Sequence, residues 1–370
     1  MKIGLVVPGF STHEGDWCIP ALLDLARGLG RRHQVHVFSL RYPHRRGDYS
    51  VYGARVHALG GGAGAGMKRL PLLAGALARV AAEARAGRFD VLHGIWADEP
   101  GAVAVAAGRL LGTPAVVSVA GGELVGLADI GYGGQLSRAN RLLTRWALRS
   151  ARRVAVGSRL LRQQVAARAG RSPALVPLGV DTARFYPDGQ AKAGTRLVHV
   201  ASLTPVKDQA VLLRSFARVV AVRPEVTLDI AGEGPLRASL EGLASSLGIA
   251  DRVRFRGALA HDRLPDLYRA GDLFVLSSRH ESQNLAALEA AACGTPAVGT
   301  AVGVLPELAP PQCLAPVGDA EALAEVVLRL LASPEERAAL ARAQLERVRR
   351  GFALSNTLER LLVLYEEARG

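Results

Sequence analysis

Short apolar runs recur along this chain with room for a helix between each pair, and that alternation limits the fold more than any other feature. Ile3-Gly4-Leu5-Val6-Val7, Gln34 to Leu40, Asp90-Val91-Leu92-His93-Gly94, Ala115 to Val119, Arg196 to Ala201, Val226 to Ile230, Val253 to Gly257 and Asp272 to Leu276 all have strand length. Most are apolar throughout, as strands covered on both faces are. Helical spacing falls between them, at Ile19 to Gly30 and Leu264 to Ala270, and again in a last amphipathic stretch, Phe352 to Ala368. The expected class is α/β, with doubly wound parallel sheets. A length of 370 residues suits two domains, each with its own core. Turn residues and a shift in composition at Leu175-Val176-Pro177-Leu178-Gly179-Val180-Asp181 mark the boundary.

Composition narrows the partners. Hydrophobic residues make up 49% of the chain and charged ones 21%, which excludes a disordered chain. The net charge of +13 permits an acidic partner such as a nucleotide, an anionic lipid or a nucleic acid. Nucleic acid is not expected, because there is no zinc pattern, recognition-helix motif or basic strand interleaved with aromatics. Two basic helices stand out. One runs from Met67 to Arg88 after a glycine-rich stretch (Gly60 to Gly66) and carries Lys68, Arg69, Arg79, Arg85 and Arg88. The other, Leu136 to Arg153, carries Arg138, Arg141, Arg145, Arg149, Arg152 and Arg153, with Trp146. They read as solvated faces, as a surface for an anionic membrane, or as a site for an anionic glycan. Cys18, Cys293 and Cys313 form no metal-ligand pattern and read as reduced thiols. Met1-Lys2 leads directly into the first strand, and no apolar run is long enough to span a bilayer. The expectation is a cytoplasmic protein, with peripheral contact at the inner face of the membrane left open.

Chemistry concentrates in Ser277 to Pro296, SSRHESQNLAALEAAACGTP. Leu285, Leu288, Ala291 and Ala292 give a helical stripe, and Ser282 or Asn284 can cap its start. The run Asp272 to Leu276 places that helix at the carboxyl end of a strand, where open α/β sheets bind ligands. The unpaired amides of a first helical turn suit an anion. Glu281 is expected just before the helix and Glu289 two turns inside it, roughly 12 Å along the axis. Two acceptors so spaced around an anion site fit a sugar–diphosphate–ribose ligand. A further turn, Gly232-Glu233-Gly234-Pro235, ends the Val226 to Ile230 strand and allows close backbone approach to a ligand. The loop after the first strand has no G-x-G-x-x-G, which counts against a dinucleotide-dependent dehydrogenase. No Asp-x-Asp pair occurs, so no metal ion bridging a diphosphate is expected.

Glu281 to Glu289, with Ala292-Cys293-Gly294-Thr295-Pro296 after it, resembles the E-x7-E motif of glycosyltransferase family 4, and the similarity is densest from Leu175 to Leu308. The resemblance implies a GT-B fold: two Rossmann-like domains facing a cleft. The acceptor-binding domain would be 1–176 and the nucleotide-sugar-binding domain 177–350, with 351–370 a helix crossing back to the first. It implies a retaining, metal-independent hexosyltransferase that uses a nucleotide-diphosphate-sugar, most readily a UDP- or GDP-sugar, and no cofactor. The acceptor would be a glycan, lipid or small-molecule hydroxyl.

In this family an Arg-x4-Lys pair grips the diphosphate. Lys207 stands at the Lys position and Ser202 at the Arg position, where Arg279, or an arginine from the other domain, could supply the charge. Glu281 would hold hydroxyls of the donor hexose and Glu289 those of the ribose. Ser282, Gln283, Asn284, Leu285, Gly232 and Gly234 would line the donor. On the acceptor side, Gly15-Asp16 matches the family's first loop. Ala120-Gly121-Gly122-Glu123 occupies the place of a His-Gly-x-Asp-like motif, and His93 and Glu123 are the nearest polar substitutes for its His. Two other readings of the fold stay open: a sugar-nucleotide epimerase or phosphorylase, although no lysine suits pyridoxal phosphate, and a module that binds nucleotide sugar or glycan without turnover.

Overall fold

The computed structural model describes residues 1–62, 69–189 and 194–370. They form two units, Met1–Leu178 with Leu354–Gly370, and Gly179–Ala353.

In the first unit the strands are β1 (Lys2–Gly9), β2 (Gln34–Tyr42), β3 (Arg46–Val51), β4 (Ala54–Leu59), β5 (Val91–Ile95), β6 (Ala115–Val119), β7 (Arg153–Val156) and β8 (Ala174–Leu175). They form one sheet in the order β3-β4-β2-β1-β5-β6-β7-β8. Neighbouring strands are parallel except in the β3–β4 hairpin. Every residue of β5 is buried, because helices cover both faces. The edge strand β3 instead exposes Arg46, Gly47 and Asp48, a polar rim that discourages further strand pairing. The helices are α1 (Pro20–Gly30), α2 (Arg69–Arg85), α3 (Glu99–Leu111), α4 (Arg138–Ser150) and α5 (Arg159–Ala169).

The second unit holds β9 (Arg196–Val200), β10 (Thr227–Ala231), β11 (Val253–Gly257), β12 (Leu273–Leu276), β13 (Ala297–Thr300) and β14 (Leu314–Ala315), all parallel, in the order β11-β10-β9-β12-β13-β14. Its helices are α6 (Gln209–Val222), α7 (Arg237–Ser246), α8 (Leu264–Ala270), α9 (Leu285–Ala292), α10 (Leu305–Leu308), α11 (Ala320–Ala332) and α12 (Pro334–Arg347). Phe274, Leu276, Leu288 and Phe216 are among the core residues between sheet and helices. Each such side chain contributes about 1.5–3 kcal/mol by leaving water.

The last helix, α13 (Leu354–Arg369), joins the core of the first unit through Leu361, Leu364, Tyr365 and Ala368. Gly28 on α1 lacks a side chain where one is excluded: a Cβ there would lie 2.6 Å from Leu358.

Strand order reverses direction between β1 and β5 in the first sheet and between β9 and β12 in the second. Loops at the carboxyl ends of such strand pairs border a crevice. These are residues 10–19 and 96–98 in one unit and 201–208 and 277–284 in the other.

The basic helices differ from expectation in extent. α2 covers Arg69 to Arg85, while Met67, Lys68 and positions 63–66 lie outside the described residues. α4 ends at Ser150, so Arg152 falls beyond it and Arg153 opens β7. Among the described residues, no helix is long and apolar enough to cross a membrane.

Candidate active site

The switch between β9 and β12 brings together two residues 74 positions apart. A single 3-10 turn, Pro205–Lys207, follows β9 and carries Lys207; a tight loop follows β12 and carries Glu281. Lys207 Nζ donates to Glu281 Oε1 at 2.6 Å. The same oxygen accepts from Ser278 Oγ at 2.7 Å and Asn284 Nδ2 at 2.9 Å, which leaves Oε2 as the remaining acceptor. Burial works to raise the Glu281 carboxyl, but the Lys207 ammonium and the three hydrogen bonds outweigh it and hold the group below its usual range. Lys207 keeps two further N–H donors beyond the one given to Glu281.

Asn284 does two jobs. It caps α9, accepting from Ala287 N at 2.8 Å, and it adopts φ 80°, a conformation asparagine tolerates better than most residues. Because α9 begins at Leu285, Glu289 lies one turn into it, not the two turns the sequence spacing suggests. The residues from Glu281 to Asn284 are non-helical, so helical rise does not describe the separation of the two carboxylates.

Glu289 is 7% exposed, with Oε1 held by His261 Nε2 at 2.8 Å and Oε2 by the Tyr268 hydroxyl at 2.9 Å. Arg184 Nη1 lies 2.9 Å from His261 Nδ1. Arginine can only donate, so Nδ1 accepts and Nε2–H points at Glu289. Burial and the adjacent Glu289 push the Tyr268 hydroxyl well above its ordinary range, which keeps it a donor.

The remaining donor-side residues surround this pair. Ser282 and Leu285 are half-buried and Gln283 is buried. The Gln283 carbonyl accepts from Val304 N at 2.7 Å, and Thr300 Oγ1 bonds the Ser278 carbonyl at 2.8 Å, so the loop after β13 backs the Glu281 loop. Arg279, half-buried, anchors its amide on Val206 O at 2.8 Å, beside the Lys207 turn. Ser202 is exposed, 3.5 Å from Thr204 Oγ1.

Gly232 and Gly234 are required by the packing of their own turn. A Cβ on Gly232 would lie 1.9 Å from Ala201 O, and one on Gly234 2.4 Å from Leu203 O. In the direction a side chain would take, both lie against the backbone of the neighbouring loop. They lock residues 201–203 in place, and Leu203 N bonds Glu233 O at 2.9 Å.

On the first unit, Glu123 is 3% exposed and accepts from the amides of Ala97 at 3.0 Å, Ala120 at 3.1 Å and Gly121 at 2.6 Å. Burial raises its carboxyl above the usual value, and these amides offset that only in part. Gly121 and Gly122 make room for rings: added Cβ atoms would meet Trp96 Nε1 at 2.4 Å and the Tyr132 ring at 2.8 Å. Asp16 accepts from Thr12 N at 2.7 Å, Thr12 Oγ1 at 2.8 Å and Tyr42 OH at 3.0 Å, closing its own loop, while Gly15 at the tip is exposed.

His93 is buried, with Nδ1 2.7 Å from Tyr365 OH and Nε2 2.8 Å from Ser118 Oγ. Burial lowers it to about 3. With both nitrogens taken inside the core, it pins α13 to the sheet, and the sequence expectation of a ligand contact gives way to that. Asp98, which the sequence did not single out, stands where α3 begins; burial first, then Glu123 and Glu99, raise its carboxyl to about 7. Ser278, His261 and Tyr268 were missed likewise. Ser278 lies in the polar run after β12, where nothing sets it apart from its neighbours, and nothing local could have flagged the other two.

Two parallel-sheet units, each with its crevice loops at a strand-order switch, define the GT-B fold. Sucrose-phosphate synthase from Thermosynechococcus elongatus superposes with a TM-score of 0.84 over 99% of this chain and 98% of its own, at 21% identity. HepE of Anabaena, in complex with UDP-glucose, does so with a TM-score of 0.75 over 99% of each chain, at 19% identity. Residues 188–347 match the family described as "Glycosyl transferases group 1" and residues 21–184 match "Glycosyltransferase Family 4". The chain belongs to this glycosyltransferase family.

Among curated relatives, the D-inositol 3-phosphate glycosyltransferase of Saccharomonospora viridis is 36% identical over 51% of this chain and 49% of its own length. A GDP-mannose-dependent alpha-(1-6)-phosphatidylinositol monomannoside mannosyltransferase of Mycolicibacterium smegmatis is 33% identical over 50% of this chain and 54% of its own. The chain thus spans about half the length of the curated relatives it matches.

Proposed function

We propose that the protein transfers a hexose from a nucleotide-diphosphate-sugar to an acceptor hydroxyl with retention of anomeric configuration. The observation that carries this reading is the Lys207–Glu281 pair at the β9–β12 switch, one carboxylate oxygen spent on structure and the other left to accept. Glu281 Oε2 would receive hydroxyls of the hexose, since a carboxylate oxygen accepts readily from a sugar hydroxyl. Lys207 and the first-turn amides of α9 would face the diphosphate and stabilise the charge that develops as the nucleotide leaves. Glu289, fixed by His261 and Tyr268, would take the ribose. Ser202 offers a hydroxyl in place of a cation, and Arg279 supplies the charge nearby.

The named relatives support a nucleotide-sugar donor, with GDP-mannose in one and UDP-glucose bound in HepE. Their inositol-containing acceptors support a polyol or lipid-linked hydroxyl. We also propose an anionic membrane surface among its partners, because the basic helix α4 exposes Leu142 beside the exposed Arg141 and Arg145. Co-sedimentation with anionic but not neutral vesicles checks that point.

Thermal denaturation with UDP, GDP, ADP and dTDP, with Mg²⁺ or Mn²⁺ added or omitted, tests the donor reading. A ligand at about a hundred times its Kd adds about 2.7 kcal/mol, enough to raise the midpoint visibly. One nucleotide is expected to do so with or without added metal. A flat response to all four would remove the donor site from the second unit.

A further inference from the structure

The first unit holds a cluster that the transferase reading does not use. β2 and β4 pair in parallel with Phe38 opposite His57 and His36 opposite Arg55, so His36 and His57 stand diagonally on the same face of the sheet. Glu83 of α2 reaches the same point. His36 Nδ1 lies 3.1 Å from His57 Nε2 and 3.7 Å from Glu83 Oε2, and His57 Nε2 lies 3.9 Å from the same oxygen. The two imidazoles are buried and Glu83 is mostly so.

A proton shared between His36 Nδ1 and His57 Nε2 satisfies that pair but leaves His36 Nε2 buried without a partner. The edge of a tetrahedral zinc site with bonds of 2.0–2.1 Å is about 3.3–3.4 Å. The observed triangle is therefore a few tenths of an ångström from coordinating geometry. We propose that His36 Nδ1, His57 Nε2 and Glu83 Oε2 bind one divalent transition-metal ion of the zinc class, clamping α2 to the β2–β4 edge of the first sheet.

The surroundings fit that ligand set. His57 Nδ1 is 3.0 Å from Asp48 Oδ1 and 2.8 Å from Arg79 Nη2. Two states are open to the ring: Nδ1 accepting from Arg79 with Nε2 protonated, or Nδ1 donating to Asp48 with Nε2 bare. A cation on Nε2 selects the second, in which a carboxylate stands behind a metal-bound imidazole and fixes its tautomer. Arg79 brings positive charge close to the site, but its Nη2 is already 2.7 Å from Asp48 Oδ2 and 3.0 Å from Glu83 Oε1. A cavity of about 350 Å³, lined among others by Asp48, His57, Arg79 and Glu83, gives an ion entry and leaves room for water in a fourth position.

The test uses the full, tag-free chain. It is dialysed against Zn²⁺, then against metal-free buffer, and zinc per chain is measured. In parallel, Co²⁺ is titrated and its absorption between roughly 500 and 700 nm recorded, where tetrahedral sites are intense. One zinc per chain and an intense Co²⁺ band are expected. His36→Gln and Glu83→Gln each lower zinc affinity more than about a hundredfold, and Asp48→Asn about tenfold to a hundredfold with the band kept. No retained zinc, a weak octahedral Co²⁺ band, or the same affinity in wild type and variants would each overturn the site; the last would leave binding to exposed histidines only. The Co²⁺ band of the wild type decides the matter even if a variant fails to fold. Neither readout depends on transferase activity, so the two proposals fail independently.

Discussion

Two buried glutamates, one in each unit, are held in opposite ways. Glu281 receives its hydrogen bonds from side chains, Lys207, Ser278 and Asn284, all on one oxygen. Glu123 receives its own from backbone amides of Ala97, Ala120 and Gly121, spread over both oxygens. The formal charge on Lys207 overcomes desolvation and lowers the Glu281 carboxyl, whereas amide dipoles fail to do so and Glu123 stays raised. A carboxylate with an ammonium beside it and a spare oxygen is poised to exchange partners with a ligand. One enclosed by amides organises its own loops. Being a buried acid in a conspicuous loop does not by itself mark a ligand site.

Substitutions should separate the two. Glu281→Gln removes the charged acceptor and should lower turnover about a hundredfold, and because it leaves Lys207 beside a neutral amide it should also lower the unfolding free energy, by about 1–3 kcal/mol. Glu123→Gln should cost stability alone. Its amide cannot accept from all three N–H groups, so unfolding free energy should fall by about 1–3 kcal/mol with nucleotide affinity kept. If Glu123→Gln instead abolished turnover without loss of stability, the contrast would collapse.

A smaller effect is expected at Glu289. Replacing it by Ala should weaken nucleotide binding about tenfold by calorimetry, the loss of one charged hydrogen-bond acceptor.

A pH-dependent effect concerns Asp98, beside Glu123. Its folded-state value is raised to about 7, so its stabilising contribution is complete below the unfolded value near 4 and is lost as pH rises through about 7. Asp98→Asn should therefore be more stable than wild type at pH 8, by up to about 4 kcal/mol for a rise of about three units, with the difference nearly gone at pH 4. Stability curves at the two pH values check the sign.

Much of this was legible in the chain itself. Apolar runs such as Asp272 to Leu276 betray a parallel sheet because both faces are covered, and the Ser277 to Pro296 stretch betrays a helix at a strand's end. What local pattern cannot show is who meets whom across the sheet. Lys207 reaches Glu281 through strand order. Tyr268 of α8, and His261 in the turn just before it, meet Glu289 of α9, and His36 meets His57 through β2–β4 register. Gly232 and Gly234 mark a close approach, and sequence does not say that the backbone of residues 201–203 is part of it. His93 misled because the strand runs on to Ile95, so the histidine sits mid-strand in the core, between Tyr365 and Ser118.

The most direct test of the donor site is the steady-state kinetics of Lys207→Ala with the nucleotide-sugar whose nucleotide stabilises the wild type. We expect kcat to fall about a hundredfold to a thousandfold while KM for the donor changes less than about fivefold, as when a group acts mainly on charge that develops in the transition state. A variant with wild-type kcat would contradict the account, and Lys207–Glu281 would then be an ion pair that serves only the fold.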